Sequence, residues 1–154
     1  MLARDAASLA RRLLDIHGLM EWRFSFDRSR RRFGVCNWNA KTIGLSRPLT
    51  ELNGEIHVRD TILHEIAHAL AGRLAGHGPK WRQAALLAGA NPRRCYDRSV
   101  TLPPLPLLLR CPTCGASREV ARRFKRKRSC GRCSNRFDPR FLLRVEPNPA
   151  FLSA

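Results

Sequence analysis

Apolar positions recur at helical spacing from the first residues. Ala6, Leu9, Leu13 and Ile16 or His17 fall on one side of residues 3–17, with Arg4, Arg11, Arg12 and Asp15 mostly on the other. This predicts an amphipathic helix. The period then shortens to two in Trp22-Arg23-Phe24-Ser25-Phe26-Asp27, the pattern of a half-buried strand. Residues 27–32 read as the polar turn of a hairpin, and residues 32–38 and 42–46 as two further short strands joined around Asn39-Ala40-Lys41. The expected result is a small antiparallel sheet of about three strands. Helical spacing returns after Asn53, a natural cap, and Glu55, an acid suited to a first turn. That helix is expected over residues 56–74, buried through Ile62, Leu63, Ile66 and Leu70, with Gly76 as its stop. A second helix fits Pro79–Ala88, with Gly89 past its end.

Beyond residue 98 the pattern breaks. Pro103, Pro104 and Pro106 mark residues 99–109 as a linker. A cysteine-bearing module spans 110–144, and a short tail with Pro147 and Pro149 covers 145–154. The fold class is α+β, with a main domain over 1–98 and a small appended module. The most apolar stretch, residues 100–109, carries three prolines and is about half the ~20 residues a spanning helix needs. Arg4, Asp5, Arg11 and Arg12 interrupt any apolar core of a secretory signal. The expectation is a cytoplasmic protein with no membrane partner, nucleoid-associated in a bacterial cell; a nuclear protein has the same features. In that reducing setting, clustered cysteines bind metal rather than each other.

The chain carries 29 Lys and Arg against 12 Asp and Glu, a net charge of +17, while 44% of its residues are hydrophobic. The apolar content supports a real core, so the charge speaks of an anionic partner, nucleic acid first, rather than disorder. The charge is unevenly spread. Residues 110–144 hold twelve basic side chains and two acids, a net +10 in 35 residues.

The longer helix contains His64-Glu65-Ile66-Ala67-His68. Residues four apart share a helix face, so His64 and His68 can present imidazoles to one ion, with Glu65 one step round as a catalytic base rather than a ligand. Taken alone, the pattern also fits two ordinary polar histidines. A catalytic zinc site needs three protein ligands and an open position for water, whose pKa the metal lowers to about 7. His77, between Gly76 and Gly78, is the preferred third ligand, because the glycines let the chain turn back over the helix; Asp97, the nearest downstream acid, is its rival. Tyr96 is a candidate donor to a tetrahedral intermediate, although a packing role is the more ordinary use of a tyrosine there. His57 reads as a helix-start residue near solvent, and Cys36 and Cys95 as small buried residues.

The chain resembles the SprT-like family of zinc metallopeptidase-like domains, whose eukaryotic representative Spartan is a protease of DNA–protein crosslinks. The resemblance rests on His64 to Leu70 in the active helix, on His77-Gly78-Pro79-Lys80-Trp81, and upstream on Gly34-Val35-Cys36-Asn37-Trp38 and Lys41-Thr42-Ile43-Gly44-Leu45-Ser46. It extends to the downstream cysteines, over about residues 5–140. The resemblance implies a zincin-like fold, zinc ligation by His64, His68 and His77, an acid/base role for Glu65, and an association with DNA.

Cys111-Pro112-Thr113-Cys114 and Cys130-Gly131-Arg132-Cys133 supply a second donor set. Two C-x2-C knuckles make the four-thiolate pattern of a closed, structural zinc ribbon. Residues 118–128 between them read as a hairpin. The chain is thus expected to hold two zinc ions, one catalytic and one structural. Arg122, Arg123, Lys125, Arg126, Lys127 and Arg128 surround Phe124, with Phe137 and Phe141 nearby. This is the expected nucleic-acid contact, most simply to DNA, although a solvated face or a nuclear import signal has the same composition. Three functions fit these features. They are a zinc endopeptidase acting on nucleic-acid-associated proteins, DNA–protein crosslinks among them; a non-proteolytic nucleic-acid-binding protein; and a zinc hydrolase of another amide or ester. Intact Glu65 favours an enzyme, and the basic ribbon favours the first over the third.

Overall fold

The computed structural model describes residues 1–93 and 99–152. The chain divides into two compact units, Met1–Leu102 and Pro103–Ala154.

In the first unit, α1 (Ala3–Ile16) buries Ala6, Leu9, Ala10, Leu13 and Leu14. Ile16, expected on this stripe, is exposed, because the helix ends there and the chain turns away through Gly18 at φ 70°. Strands β1 (Arg23–Asp27), β2 (Gly34–Asn37) and β3 (Thr42–Ser46) form a sheet in the order β1-β3-β2. The sheet is mixed, which corrects the antiparallel expectation. β2 and β3 are an antiparallel hairpin, with Gly34 opposite Leu45 and Asn37 opposite Thr42. β1 instead runs parallel to β3, from Arg23 opposite Thr42 to Asp27 opposite Ser46.

Residues 28–33 are therefore no hairpin turn. They cross the end of β3 and deliver β2 to its far side. Local polar contacts hold the crossing. Asp27 accepts the amide of Ser29 at 2.8 Å and pairs with Arg32, while Ser46 donates its hydroxyl to the Ser29 carbonyl. The physical reason for this order is burial. Ile43, Leu45 and Ser46 are wholly buried, so β3 takes the centre of the sheet.

A short helix, α2 (Arg47–Leu52), was not legible in the periodicity. Ser46 caps it by accepting the Leu49 amide at 3.1 Å, and Leu49 and Thr50 are buried. Its presence reassigns Asn53, which does not cap the next helix. The Asn53 amide donates to the carbonyls of Leu49 (2.7 Å) and Thr101 (2.9 Å), and its oxygen accepts the Thr101 N–H. α3 (Glu55–Ala71) starts at Gly54 and buries Val58, Ile62, Leu63, Glu65, Ile66, Ala67 and Ala69. It stops at Gly72, whose φ of 97° leaves helical space, about a turn before the predicted end. Leu74, beyond that stop, is exposed, and so is Leu70 in the last turn, expected on the buried face. α4 (Pro79–Ala88) has the predicted bounds, with Gly89 left-handed after it. Apolar residues from α1, β3, α2, α3 and α4 make one continuous core.

The second unit contains β4 (Leu107–Arg110), β5 (Ser117–Val120) and β6 (Arg144–Pro147), all antiparallel in the order β5-β4-β6. Most of β4 lies within residues 99–109, read from the sequence as linker, and most of β6 within the expected tail. The prolines bound these short strands rather than mark an unstructured connection. Residues 118–128 are not one hairpin, because β5 pairs back with β4 around the first knuckle. Buried Asn148 closes the unit by donating to the Leu105 carbonyl (2.7 Å) and to Glu119 (2.8 Å), which also accepts the Leu105 amide. A turn of 3-10 helix (Pro139–Phe141) precedes β6, and α5 (Pro149–Leu152) follows it. Among the described residues no helix is long and apolar enough to cross a membrane.

Candidate metal centres

His64 and His68 stand one turn apart on α3, and His77 comes from the connection that follows. Two features of that connection turn it back. Gly72 and Gly76 have φ of 97° and 51°, which favour glycine. Gly78 donates its amide to the Ala75 carbonyl at 3.0 Å, and a Cβ at Gly78 would lie 3.0 Å from that same oxygen. The three imidazoles converge. His77 Nε2 lies 3.1 Å from His64 Nε2 and 3.2 Å from His68 Nε2. Tetrahedral zinc with bonds of about 2.0–2.1 Å sets neighbouring nitrogens about 3.4 Å apart, so the spacing fits one shared ion. Burial, and then the neighbouring imidazoles, push the pKa values of His64 and His68 down to about 4. Both rings are neutral near pH 7 and keep the lone pairs that a metal requires.

Trp81 lies behind all three. Its ring centroid is 4.7 Å from that of His64, 5.3 Å from His68 and 4.6 Å from His77. It is wholly buried, and its indole N–H has no hydrogen-bond partner among the described residues. Sequence reasoning gave Trp81 no role of its own. Its only signal was its place four residues after His77.

Glu65 follows His64 on α3 and is buried at the floor of a cleft of about 590 Å³. Burial raises its pKa to about 7, against the opposing pull of the Arg32 charge and the Cys36 backbone amide. Neither Arg32 nor the Cys36 amide was foreseen as a neighbour of Glu65. Both arrive on the segment that crosses the sheet and enters β2. Cys36 is half-buried, and burial, followed by the Glu65 charge, drives its thiol up to about 12. His57 is the third residue of α3 and partly exposed, as expected of a helix-start residue near solvent, and it also lines the cleft, with its Nε2 3.4 Å from the Ser99 hydroxyl. Asp97, Tyr96 and Cys95 lie outside the described residues. Among the described residues, His77 is the third histidine of the cluster with His64 and His68.

In the second unit, Cys111, Cys114, Cys130 and Cys133 bring their sulfurs into one cluster. Cys111 and Cys133 are 3.8 Å apart, and Cys114 and Cys130 3.6 Å apart. A disulfide needs about 2.05 Å, whereas tetrahedral zinc with Zn–S of about 2.3 Å places sulfurs about 3.8 Å apart. The knuckles aim backbone amides at the cluster. Those of Cys114 and Thr113, the former most strongly, draw the Cys111 pKa down to about 6 against the opposing effect of burial.

Arg122, Arg123, Lys125, Arg126, Lys127 and Arg128 are all exposed. Phe124 is not the free aromatic of this run, because the Arg128 guanidinium covers its ring at 3.7 Å. The exposed aromatic is Phe137, in a groove also lined by Arg118, Lys127, Arg128, Arg132 and Arg136.

A sequence model of the SprT-like family matches residues 9–100. The match covers most of the first unit and more than half of the chain, and the protein belongs to the SprT-like family. Its donor clusters accord with a zinc-associated, metallopeptidase-like domain. No curated protein matches the chain.

Proposed function

We propose that the protein is a zinc-dependent endopeptidase of zincin-like fold that acts on proteins associated with nucleic acid, DNA–protein crosslinks among them, with DNA held by the basic ribbon. The observation that carries this reading is the convergence of His64, His68 and His77 in a cleft whose floor is Glu65. Zinc held by the three imidazoles would supply a Lewis acid for a peptide carbonyl and lower the pKa of water to about 7. The chain provides the rest. The histidines enter as neutral donors, and Trp81 fixes their rings from behind. Glu65 accepts the proton of the attacking water and returns it to the leaving amine. Of the two acids lining the cleft among the described residues, Asp60 is occupied by the Asn91 amide at 2.7 Å. β2 is an edge strand on the cleft wall, suited to an extended polypeptide that adds its backbone to the sheet. The four-thiolate cluster, with every position filled by protein, would hold zinc structurally.

The basic run and the groove around Phe137 support the nucleic-acid part, since cations release counterions from phosphates and an open ring stacks on a base. The deciding experiment incubates the protein with a DNA–protein crosslink, with and without chelator, alongside Glu65→Gln. Cleavage should require metal and fall by about 10²-fold or more in Glu65→Gln, with zinc content kept. Equal cleavage by both proteins would remove the acid/base role. Cleavage indifferent to DNA would leave a peptidase and overturn the proposed partner.

A further inference from the structure

Gly34 is the first residue of β2, where the strand passes over α3. Its φ lies outside the left-handed region, so the backbone there would accept any residue. Space is what excludes a side chain. A Cβ built on Gly34 would stand 2.6 Å from Glu65 Oε1, 2.8 Å from Glu65 Cγ and 2.7 Å from Thr61 Cγ2. Thr61 and Glu65 are one turn apart on α3, so the bare backbone at residue 34 lies across both. The same strand, two residues on, presents the Cys36 amide to the Glu65 carboxylate.

We infer that Gly34 is a positioning residue for Glu65: the missing side chain leaves the space in which the carboxyl group lies, and β2 is thereby both the wall of the cleft and the seat of the acid/base. The inference rests on the role assigned to Glu65 above. A methyl group at residue 34 has two ways to be accommodated. Either β2 lifts from α3, taking the Cys36 amide with it, or the Glu65 carboxyl swings toward the open cleft. Both move the carboxyl from its place beside the histidines while leaving His64, His68 and His77, which face Trp81, in position. A misplacement of about 1 Å is enough to cost on the order of 10²-fold in rate.

Gly44 supplies the control. It is opposite Val35 in the same hairpin, and a Cβ there would meet Val35 Cγ1 at 2.9 Å, so Gly44→Ala crowds the same hairpin, at one atom rather than three, without touching Glu65. Gly34→Ala should lower kcat on the order of 10²-fold while zinc content stays near wild type. Gly44→Ala should keep kcat. A thermal-denaturation cycle gives a second readout that needs no peptidase activity. Gly34→Ala should lower Tm in the wild-type background and lower it less in Glu65→Ala, where two of the three opposing atoms are gone and only Thr61 Cγ2 remains. If Gly34→Ala alone does not fold, recovery of folding in the Gly34→Ala/Glu65→Ala double variant carries the same meaning. Wild-type kcat in Gly34→Ala, equal losses in Gly34→Ala and Gly44→Ala, or additive shifts in Tm would each overturn the inference. Failure of the enzyme reading looks different: Glu65→Gln would cleave as well as wild type, while the melting cycle would still report whether Gly34 seats Glu65.

Discussion

The histidine cluster draws its donors from a helix and the loop after it, above a continuous apolar core. The cysteine cluster draws its donors from two turns beside a three-stranded sheet. In that second unit the buried apolar residues among those described are Pro103, Leu105, Leu109 and Val120, together with Cys111 and Cys130 themselves. The first donor set thus stands beside a large apolar core, and the second supplies much of the interior of its own unit. Donor number separates them as well. Three imidazoles leave a coordination position open toward a cleft, whereas four thiolates close the shell. A donor set that leaves a position open and one that closes the shell therefore lie in different parts of this chain.

The largest expected effect comes from removing one ligand from each cluster. Cys130→Ser should unfold residues 103–154, since structural zinc contributes about 10–16 kcal/mol to small metal-dependent folds. His77→Ala should release metal from the cleft and leave residues 1–102 folded. Zinc analysis combined with hydrogen exchange measures both outcomes; intact exchange protection of the ribbon in Cys130→Ser would erase the contrast.

Next in size is Trp81→Ala. It removes a wholly buried indole from the core and from behind the histidines, and should cost about 3–5 kcal/mol together with a loss of metal affinity. Denaturant unfolding and a chelator competition report the two effects separately. A smaller change is expected on the ribbon. Replacing Arg126, Lys127 and Arg128 with Ala should weaken DNA binding and reduce its logarithmic salt slope by about one per side chain, and binding titrations at several salt concentrations would detect it. Identical slopes would return that run to a solvated face.

The smallest effect concerns Cys36. With its thiol held up at about 12 rather than the ordinary 9.0, it stays protonated at pH 8 in the folded protein and should react slowly with iodoacetamide. Because the thiol is neutral in the fold, the stability it contributes is present below pH 9.0 and is lost as pH rises toward 12. Peptide mapping before and after denaturation would follow the label, and equal rates in both states would contradict the burial of the thiol.

Much of both donor sets was readable in the linear chain because their geometry is local. Residues four apart on a helix share a face wherever the helix lies, and a C-x2-C knuckle brings two sulfurs together by its own turn. The bounds of α4 were readable for the same reason, since Pro79 and Gly89 act on the residues next to them. The short helix α2 escaped because six residues give too little period to distinguish, and its cap, Ser46, also ends a strand. Asn53 was misread as a cap because its sequence neighbours permit that role. Its actual partners include Thr101, 48 residues away.

The sequence by itself determined the chemistry available: three imidazoles, a neighbouring carboxylate, four thiols and a concentration of positive charge, each placed by short-range spacing. The tertiary structure alone decided the order of the strands, and with it the environment in which that chemistry stands. β3 took the centre because it carries the most buried side chains, which sent β2 to the edge against α3. Only then did Gly34, Cys36 and Arg32 meet Glu65, and only the return of α4 beneath α3 put Trp81 behind the histidines. Those contacts follow from competition among all the apolar surfaces of the unit for one core, and no local spacing along the chain encodes its outcome.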